Sequence, residues 1–353
     1  MSKIYTEIFQ TSFITESGDK IKNPELVYQT WGSLNESKDN VIIISHALTG
    51  NADAEDWFSG LFHERGVIDL EQHFIICINH PGSCYGSVGP TSINPLSGEK
   101  YQANFPDLTI RDIVQLEQLL LNKLGIMGIE LIIGGSMGGM IALEFCLMDT
   151  RIKSACLIAM GKSHSAWAIG ISQAQRIAIQ ADKNWNSGFY SEGKPPADGL
   201  AAARSMAMIT YRSPQNYDQK FSRNWNIQKN IFEVESYLNY QGEKLVDRFD
   251  ANSYIKLSKA MDSHDVARGR GTAKSVLSRI KIPVLIIGID SDLLYPIQEQ
   301  IELAELIPTS TFKEIKSKFG HDAFLIEFEQ INLILKSFKR NISEAKFNRI
   351  NKA

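Results

Sequence analysis

Five short apolar runs along the chain have the character of buried β-strands. Each run is nearly continuous in hydrophobic residues, whereas a strand with one solvated face alternates apolar and polar positions. A continuous pattern is typical of a parallel sheet covered by helices on both faces. The predicted buried strands are Val41–Ser45, Phe74–Ile78, Ile129–Ile133, Ala155–Ala159 and Pro283–Ile289. Alternating patterns in Tyr5–Ile14 and Glu25–Trp31 predict antiparallel edge strands.

Helical patterns alternate with these strands. Thr109–Leu124 opens with T-I-R-D, which reads as a capping box with Asp in place of Glu, and it is followed by Gly125. Met137–Met148 is a second predicted helix and follows a strand directly. The alternation indicates an α/β fold with a mostly parallel, right-handed sheet flanked by helices.

The strand rhythm stops near His164 and resumes at Ile282. The intervening segment contains polar helical stretches and a Gly/Pro-rich loop at Ser187–Gly199. We therefore predict a helical lid subdomain at residues 164–271, inserted into a catalytic core formed by residues 1–163 and 272–353. An insertion at this point can cover the carboxyl edge of the sheet, where sites form in α/β folds.

Composition restricts the function classes. The 353 residues carry a formal net charge of −3, so no global field favours nucleic acid or a membrane surface. The sequence has no leader-like segment and no apolar run as long as a membrane helix, which leads us to expect a cytoplasmic protein. The cysteines are expected to be buried free thiols, and no ligand cluster predicts a metal site. These cysteines are Cys77, Cys84, Cys146 and Cys156.

Ser136 is the predicted nucleophile. It stands in the G-x-S-x-G motif Gly134–Gly138, between an apolar strand and an apolar helix. A serine on such a sharp strand-to-helix turn is exposed to substrate, and small neighbours are required because the backbone is crowded. The helix N-terminus beside it favours a developing negative charge. A merely structural glycine-rich turn is the simpler alternative.

A nucleophilic serine needs a base, and the base needs an orienting carboxylate. In this motif's fold the order along the chain is Ser, acid, His. His321, in a loop near the end of the core, is the predicted base, while His164 and His264 flank the lid. Asp292 is the predicted acid because it follows the strand ending at Ile289, with Asp290 as the alternative.

The oxyanion hole should combine two backbone N–H groups. One is that of Met137, directly after the nucleophile, and the other is expected from Leu48 in the loop H-A-L-T-G that follows an early strand. His46 opens this loop, and its place before the donor favours a structural imidazole that shapes the loop.

A serine triad alone leaves the acyl acceptor open, since water gives a hydrolase and a bound alcohol gives a transferase. A lid that excludes water would favour transfer. A lidded ester or thioester hydrolase and a non-catalytic scaffold of the same fold therefore remain alternatives.

Longer strings along residues 46–325 give the chain a specific resemblance. They are H-A-L-T-G, N-x-x-G-S-C-Y-G-S-x-G-P, S-I-N-P-x-S-G, F-P-x-x-T-I-R-D, G-G-S-M-G-G-M, M-D-S-H-D-V-A-R-G-R-G, D-S-D-x-L-Y-P and G-H-D-A-F-L. Together they resemble the homoserine O-acetyltransferase family of the α/β-hydrolase superfamily. The resemblance implies transfer of acetyl from acetyl-CoA to L-homoserine through an acyl-serine, in methionine biosynthesis. It also implies a homodimer formed through the lid helices.

The same resemblance implies three substrate-binding residues. Asp322 would meet the substrate amino group, and Arg204 would meet the substrate carboxylate, for which a guanidinium is well suited. Tyr211 matches a family tyrosine at the site. His80-Pro81, Arg212 and Val88 depart from the family pattern near the acyl and acceptor regions, so a homoserine O-succinyltransferase or a serine O-acyltransferase remains an alternative.

Overall fold

The computed structural model describes residues 2–62 and 66–350. Within them, eight strands form one sheet in the order β1-β4-β6-β5-β7-β8-β11-β12. These strands are β1 (Lys3–Ile8), β4 (Glu25–Trp31), β5 (Val41–Ser45), β6 (Phe74–Ile78), β7 (Ile129–Gly135), β8 (Ala155–Ile158), β11 (Val284–Ile289) and β12 (Ser310–Ile315). Two small hairpins pair β2 (Ser12–Ile14) with β3 (Lys20–Lys22) and β9 (Trp225–Asn226) with β10 (Ile231–Phe232).

The sheet is antiparallel at one edge and parallel elsewhere. The strand β4 pairs antiparallel with both β1 and β6, while the pairs from β6 through β12 are parallel. Because parallel strands share a direction, the carboxyl ends of β5, β7 and β11 lie at one edge. The segments that follow these strands carry Leu48, Ser136 and Asp292.

Eleven helices are described around the sheet and in the insertion. They are α1 (Ala54–Trp57), α2 (Ile110–Lys123), α3 (Met137–Met148), α4 (Ala166–Gln180), α5 (Ala197–Tyr211), α6 (Pro214–Phe221), α7 (Glu233–Val246), α8 (Ala251–Asp262), α9 (Ala273–Leu277), α10 (Ile297–Leu306) and α11 (Phe328–Ile350). Helices α4 to α8 follow β8 and precede β11, so the helical insertion interrupts the sequence of the sheet.

The two faces of the sheet pack into separate apolar clusters. In β5, Val41 and Ile43 join the cluster that contains α2 and α3, whereas Ile42 and Ile44 join the cluster that contains α11. Successive side chains of a strand point to opposite faces, and here both faces are covered. This is the physical reason for the continuous apolar runs in the sequence.

The end of the insertion is anchored to the core by buried charge. The Arg111 guanidinium, from α2, donates to the carbonyls of Asp265 and Arg268 at 3.1 and 2.9 Å. Arg270 pairs with Glu144 of α3 at 2.6 Å. Both cations thus connect the chain leaving the insertion to helices that pack on the sheet.

The predicted fold class is confirmed, and several predicted bounds are close to the observed ones. The capping box is present, since Thr109 Oγ1 accepts from the Asp112 N–H at 3.1 Å and Asp112 Oδ2 accepts from the Thr109 N–H at 2.9 Å. The predicted edge strand Tyr5–Ile14 is wrong as one element, because β1 ends at Ile8 and β2 pairs in a separate hairpin.

The predicted free thiols are present, and the predicted burial holds fully for two of the four. The four cysteines are free thiols, with Cys77 and Cys156 buried and Cys84 and Cys146 partly buried. In the portion of the chain that the structure describes, none of the helices is both long and apolar enough to cross a membrane. The ends of the predicted core segments, residue 1 and residues 351–353, lie outside the described residues, as do residues 63–65.

Candidate active site

Ser136 connects β7 to α3 in a strained backbone conformation. Its φ and ψ are 56° and −127°, a combination that non-glycine residues rarely adopt. The turn is so tight that a Cβ on Gly134 would lie 2.1 Å from the Gly138 carbonyl oxygen, and a Cβ on Gly138 would lie 2.1 Å from that of Ser45. The two motif glycines are therefore required by backbone contact, and the turn presents Ser136 to a cavity.

His321 and Asp292 form a buried hydrogen-bonded pair. The His321 Nδ1 lies 2.7 Å from Asp292 Oδ2, while Asp292 Oδ1 accepts from the backbone N–H groups of Leu294 and Tyr295 at 2.8 and 2.9 Å. These contacts fix the carboxylate, which in turn keeps a proton on Nδ1. The other ring nitrogen, Nε2, is then left with its lone pair for a general-base role.

Three aromatic rings surround the imidazole of His321. The ring centroids of Tyr211, Tyr295 and Phe324 lie 5.4–5.5 Å from that of His321. His321 is only 3% exposed. The aromatic contacts restrict ring rotation, so the imidazole is held by packing on its faces and by Asp292 at one nitrogen.

The other candidates for base and acid have different surroundings. His164 contacts the Tyr295 hydroxyl at 3.0 Å, and His264 contacts the Gly161 carbonyl at 3.1 Å, both near the junction of core and insertion. Asp290 accepts from the backbone N–H of Ser317 at 3.0 Å. These three side chains support the fold around the site, and Asp292 is the carboxylate that contacts His321.

One cavity of about 340 Å³ brings together most of the predicted site residues. Its lining includes Leu48, Ser136, Arg204, Tyr211, His321 and Asp322. Asp292 lies behind His321 and is buried. Met137 is also buried, and as the first residue of α3 it has a backbone N–H with no acceptor inside the helix. The structure therefore brings the eight predicted residues into one region.

The lining of the cavity carries both signs of charge. Arg204 lies over the Tyr211 ring with its Cζ 5.6 Å from the ring centroid. Asp322 pairs with Arg212 at 2.9 Å, Nε to Oδ2. Burial raises the pKa of Asp322 above its usual range, and the Arg212 cation offsets part of that rise. A guanidinium and a carboxylate near one serine are complementary to the zwitterion of an amino acid.

Sequence reasoning missed several residues that line the same cavity. They include Asp56 and Trp57 from α1, Lys244 from α7, Arg248 beyond it, and Phe324 and Leu325 near His321. The four-residue spacing of Lys244 and Arg248 is a helical spacing that could have indicated a shared basic face. Arg248 Nη1 donates to the Thr49 carbonyl at 2.7 Å and the Tyr85 hydroxyl at 2.6 Å. Two cations of the insertion thus lie at the cavity, and one of them is bonded to the loop that carries Leu48.

A metal-ion centre is a different kind of site and would need its own ligands. Within residues 2–62 and 66–350, no group of three or more His, Cys, Asp and Glu side chains is arranged to hold a metal ion.

The strand order, the strained serine turn and the histidine–aspartate pair define a class of protein. The sequence model of a family described as the alpha/beta hydrolase fold matches residues 40–328, and the chain has that fold. The homoserine O-acetyltransferase of Chlorobium chlorochromatii is 50% identical over 338 residues, covering 94% of each chain. The chain therefore belongs to the homoserine O-acetyltransferase family, and the resemblance seen in its motifs is confirmed.

Solved structures of the same fold include both transferases and hydrolases. The homoserine O-acetyltransferase from Bacillus anthracis has a TM-score of 0.87 and 26% identity, covering 96% of this chain and 97% of that chain. An L374D mutant of esterase E22 has a TM-score of 0.88 and 25% identity, covering 96% of this chain and 99% of that chain. The fold alone therefore leaves the acyl acceptor open.

Proposed function

We propose that the chain transfers an acetyl group from acetyl-CoA to the hydroxyl of L-homoserine, a step of methionine biosynthesis, through an acetylated Ser136. The observation that carries the proposal is the cavity itself, which combines Ser136 and His321 with Arg204 and Asp322. An ester hydrolase needs neither a cation nor a carboxylate for its substrate beside the nucleophile. An enzyme that binds an amino-acid acceptor needs both. Identity to curated relatives named homoserine O-acetyltransferase supports the same assignment.

In the first half-reaction, His321 Nε2 removes the proton of the Ser136 hydroxyl as the serine oxygen attacks the thioester carbonyl. Asp292 stabilises the imidazolium that forms. The backbone N–H groups of Leu48 and Met137 hold the developing oxyanion. Collapse of the tetrahedral intermediate breaks the C–S bond, His321 returns the proton to the thiolate, and CoA leaves with acetyl on Ser136.

In the second half-reaction, homoserine occupies the cavity vacated by the thiol. Arg204 binds its carboxylate and Asp322 its ammonium group, which directs the hydroxyl to the acetyl-serine. His321 takes the hydroxyl proton during attack and returns it to the Ser136 oxygen as that oxygen leaves. Tyr211, whose pKa burial raises, stays a neutral phenol beside the imidazole at neutral pH.

The acyl group and the acceptor have alternatives. Arg212, the extra arginine that could have met the second carboxylate of a succinyl donor, is instead paired with Asp322. That pairing removes the arginine that gave a reason to prefer succinyl, and the curated relatives are named as acetyltransferases. The smaller serine would place its hydroxyl further from Ser136 when its ammonium and carboxylate groups are bound by the same two residues. We therefore favour homoserine over serine as the acceptor.

Thiol release measured with matched donors and acceptors tests the proposal. The assay combines acetyl-CoA or succinyl-CoA with homoserine, serine or no amino acid. We expect rapid release with acetyl-CoA plus homoserine, accompanied by O-acetylhomoserine. Release independent of any amino acid would identify a hydrolase, and a preference for succinyl-CoA or serine would overturn the donor or acceptor assignment. Ser136→Ala serves as the control for uncatalysed release.

A homodimer formed through the insertion is also part of the proposal. Large apolar side chains of the insertion are exposed in the single chain, among them Trp167, Ile177, Ile209 and Ile227. Ile177 and Ile209 lie on α4 and α5, which pack against each other, and large exposed apolar patches commonly mark protein interfaces. Light scattering of the wild type and of Ile177→Asp or Ile209→Asp should distinguish a dimer from a monomer. A wild-type monomer would overturn the proposed homodimer.

The cytoplasmic location and the residue limits of the lid and core stay predictions.

A further inference from the structure

A buried polar chain lies beneath the loop that carries Leu48. His46, His80 and Glu117 are each 1% exposed or less, although the surroundings are apolar strands and helices. The imidazole rings of His46 and His80 are in contact, with centroids 3.8 Å apart. Polar groups at such depth are retained at a cost unless their hydrogen bonds are satisfied. Their arrangement therefore requires an explanation.

The hydrogen bonds determine which ring nitrogen carries the proton in each neutral imidazole. The backbone N–H of His80 donates to His46 Nε2 at 3.2 Å, so the ring proton of His46 is on Nδ1, which lies 2.8 Å from the Ala47 carbonyl oxygen. His80 Nε2 lies 3.0 Å from the His46 carbonyl oxygen and must donate to it. If the ring is neutral, His80 Nδ1 is the acceptor and Glu117 Oε1, 2.6 Å away, is the donor.

Protonation of Glu117 is consistent with this pattern. Burial raises the pKa of Glu117 well above its usual range and lowers the pKa of His80 to about 4. At neutral pH the pair is therefore uncharged, with the Glu117 hydroxyl donating to His80 Nδ1. The chain runs from Glu117 through His80 to the His46 carbonyl, and from the His46 ring to the Ala47 carbonyl.

The Ala47 carbonyl belongs to the same peptide unit as the Leu48 N–H. A trans peptide is planar, so its C=O and N–H point in opposite directions. The Ala47 oxygen accepts from His46 Nδ1 and from the Gly50 N–H at 2.8 Å each, which holds the peptide plane from one side. The orientation of the carbonyl thus determines the direction of the Leu48 N–H.

We propose that Glu117, His80 and His46 are positioning residues that aim the Leu48 N–H at the oxyanion. The proposal rests on the proposed function only in taking the Leu48 N–H as an oxyanion donor. None of the three residues is in the lining of the cavity, and their effect passes through one peptide plane. If the Leu48 N–H is no longer held in this orientation, formation of the tetrahedral intermediate should slow and ground-state binding should stay nearly unchanged.

Two amide substitutions at position 46 separate positioning from bulk structure. An asparagine amide occupies roughly the place of Nδ1 and can still donate to the Ala47 carbonyl, whereas a glutamine amide reaches the place of Nε2 and cannot. We expect His46→Gln to slow acylation by about tenfold to a hundredfold with KM unchanged, less than the loss of a whole donor. His46→Asn should restore most of that rate.

The measurement is the burst of p-nitrophenol from p-nitrophenyl acetate, with Tm recorded for each full-length variant and Ser136→Ala as the blank. Equal rates for His46→Asn and His46→Gln, at whatever Tm, would overturn the proposal. Should both variants fail to fold, Glu117→Gln and Glu117→Leu provide the second pair. Gln keeps a donor to His80 and should acylate faster than Leu, and equal rates would again overturn the proposal.

The burst requires no amino acid. A protein that lacks homoserine-dependent thiol release but shows the expected Asn–Gln difference would contradict the proposed function and support the positioning role. A protein that shows homoserine-dependent thiol release but equal acylation rates for the two variants would support the proposed function and contradict the positioning role.

Discussion

The Arg212 guanidinium pairs with the Asp322 carboxylate at 2.9 Å, Nε to Oδ2, at the edge of the cavity that contains Ser136. Arg212, which departs from the family pattern, therefore contacts the residue proposed to bind the substrate ammonium group. The pairing leaves Asp322 Oδ1 for the substrate, and it helps to keep the carboxyl ionised despite its burial.

Replacing this cation should change the pH dependence of homoserine binding. Burial raises the pKa of Asp322, and Arg212 is the first of the groups that lower it, so Arg212→Met should raise that pKa further. Asp322 binds an ammonium group only when ionised. We therefore expect the acid limb of kcat/KM for homoserine to move to higher pH in Arg212→Met.

The acylation burst provides the control for this shift. Homoserine takes no part in the burst, so the acid limb of the burst rate should lie at the same pH in Arg212→Met as in the wild type. A parallel shift of both profiles would mean that Arg212 acts on His321, and the assignment of the limb to Asp322 would be wrong.

Asp292→Asn should reduce kcat strongly and leave the fold intact. The asparagine can accept from Leu294 and Tyr295, but its amide can donate to His321 Nδ1 and so favours the tautomer with the proton on Nε2. In a serine triad that change costs about 10⁴-fold in kcat. Asp290→Asn is the matched control, since its oxygen can still accept from Ser317. Similar losses in the two variants would disprove the choice of acid.

Arg204→Leu should weaken homoserine binding more than acylation. A charged hydrogen bond contributes about 1.5–3 kcal/mol, so KM for homoserine should rise by about tenfold to a hundredfold. Arg204→Lys should recover part of the affinity, because a point charge lacks the bidentate geometry of the guanidinium. Steady-state kinetics with homoserine varied at saturating acetyl-CoA measure both. An unchanged KM would place the substrate carboxylate elsewhere.

Lys244→Gln should affect the CoA substrate selectively. Lys244 lines the cavity from the insertion and offers an exposed cation to the phosphates of CoA. An exposed ion pair is weak, so we expect KM for acetyl-CoA to rise by no more than about fivefold, and less at high salt. KM for p-nitrophenyl acetate, which carries no phosphate, should be the same in both proteins. A rise for both esters would indicate a steric effect.

Gly134→Ala should destabilise the protein, because its Cβ would lie 2.1 Å from a backbone oxygen that cannot move alone. Overpacking of this kind costs about 3 kcal/mol in the free energy of unfolding. Gly170→Ala, in the exposed part of α4 with nothing within 4 Å of the added carbon, is the control and should stabilise by about 0.5–1 kcal/mol. Urea denaturation measures both, and similar values would contradict the crowded turn.

Much of the core could be predicted because its signals are local. The strand Val41–Ser45 has both faces covered and so reads as a continuous apolar run, and Thr109 and Asp112 form their capping box within one helical turn. The order of Ser136, Asp292 and His321 along the chain also follows from the motif and the fold. By contrast, the sequence pattern does not predict β12, because its side chains are mostly exposed or half-buried and form no continuous apolar run.

The less predictable parts of the site depend on distant packing. Lys244 and Arg248 reach the cavity because α7 lies against α5 in the insertion, and no local pattern encodes that approach. The His80–Glu117 contact joins residues of a loop and a helix. His80 and Glu117 each look ordinary in the sequence, and only the tertiary structure shows the hydrogen bond between them.

The separation of Ser136 from His321, its proposed base, has a consequence for biosynthesis. Translation makes the nucleophile first, then the whole helical insertion and β11, and only afterwards the segment that carries His321. A growing chain that has folded its first strands thus holds a serine without a general base, and contacts so distant in sequence form late. Reactivity toward thioesters is therefore acquired at the end of synthesis, and incomplete chains released from the ribosome should be inert toward the cell's acyl-CoA pool.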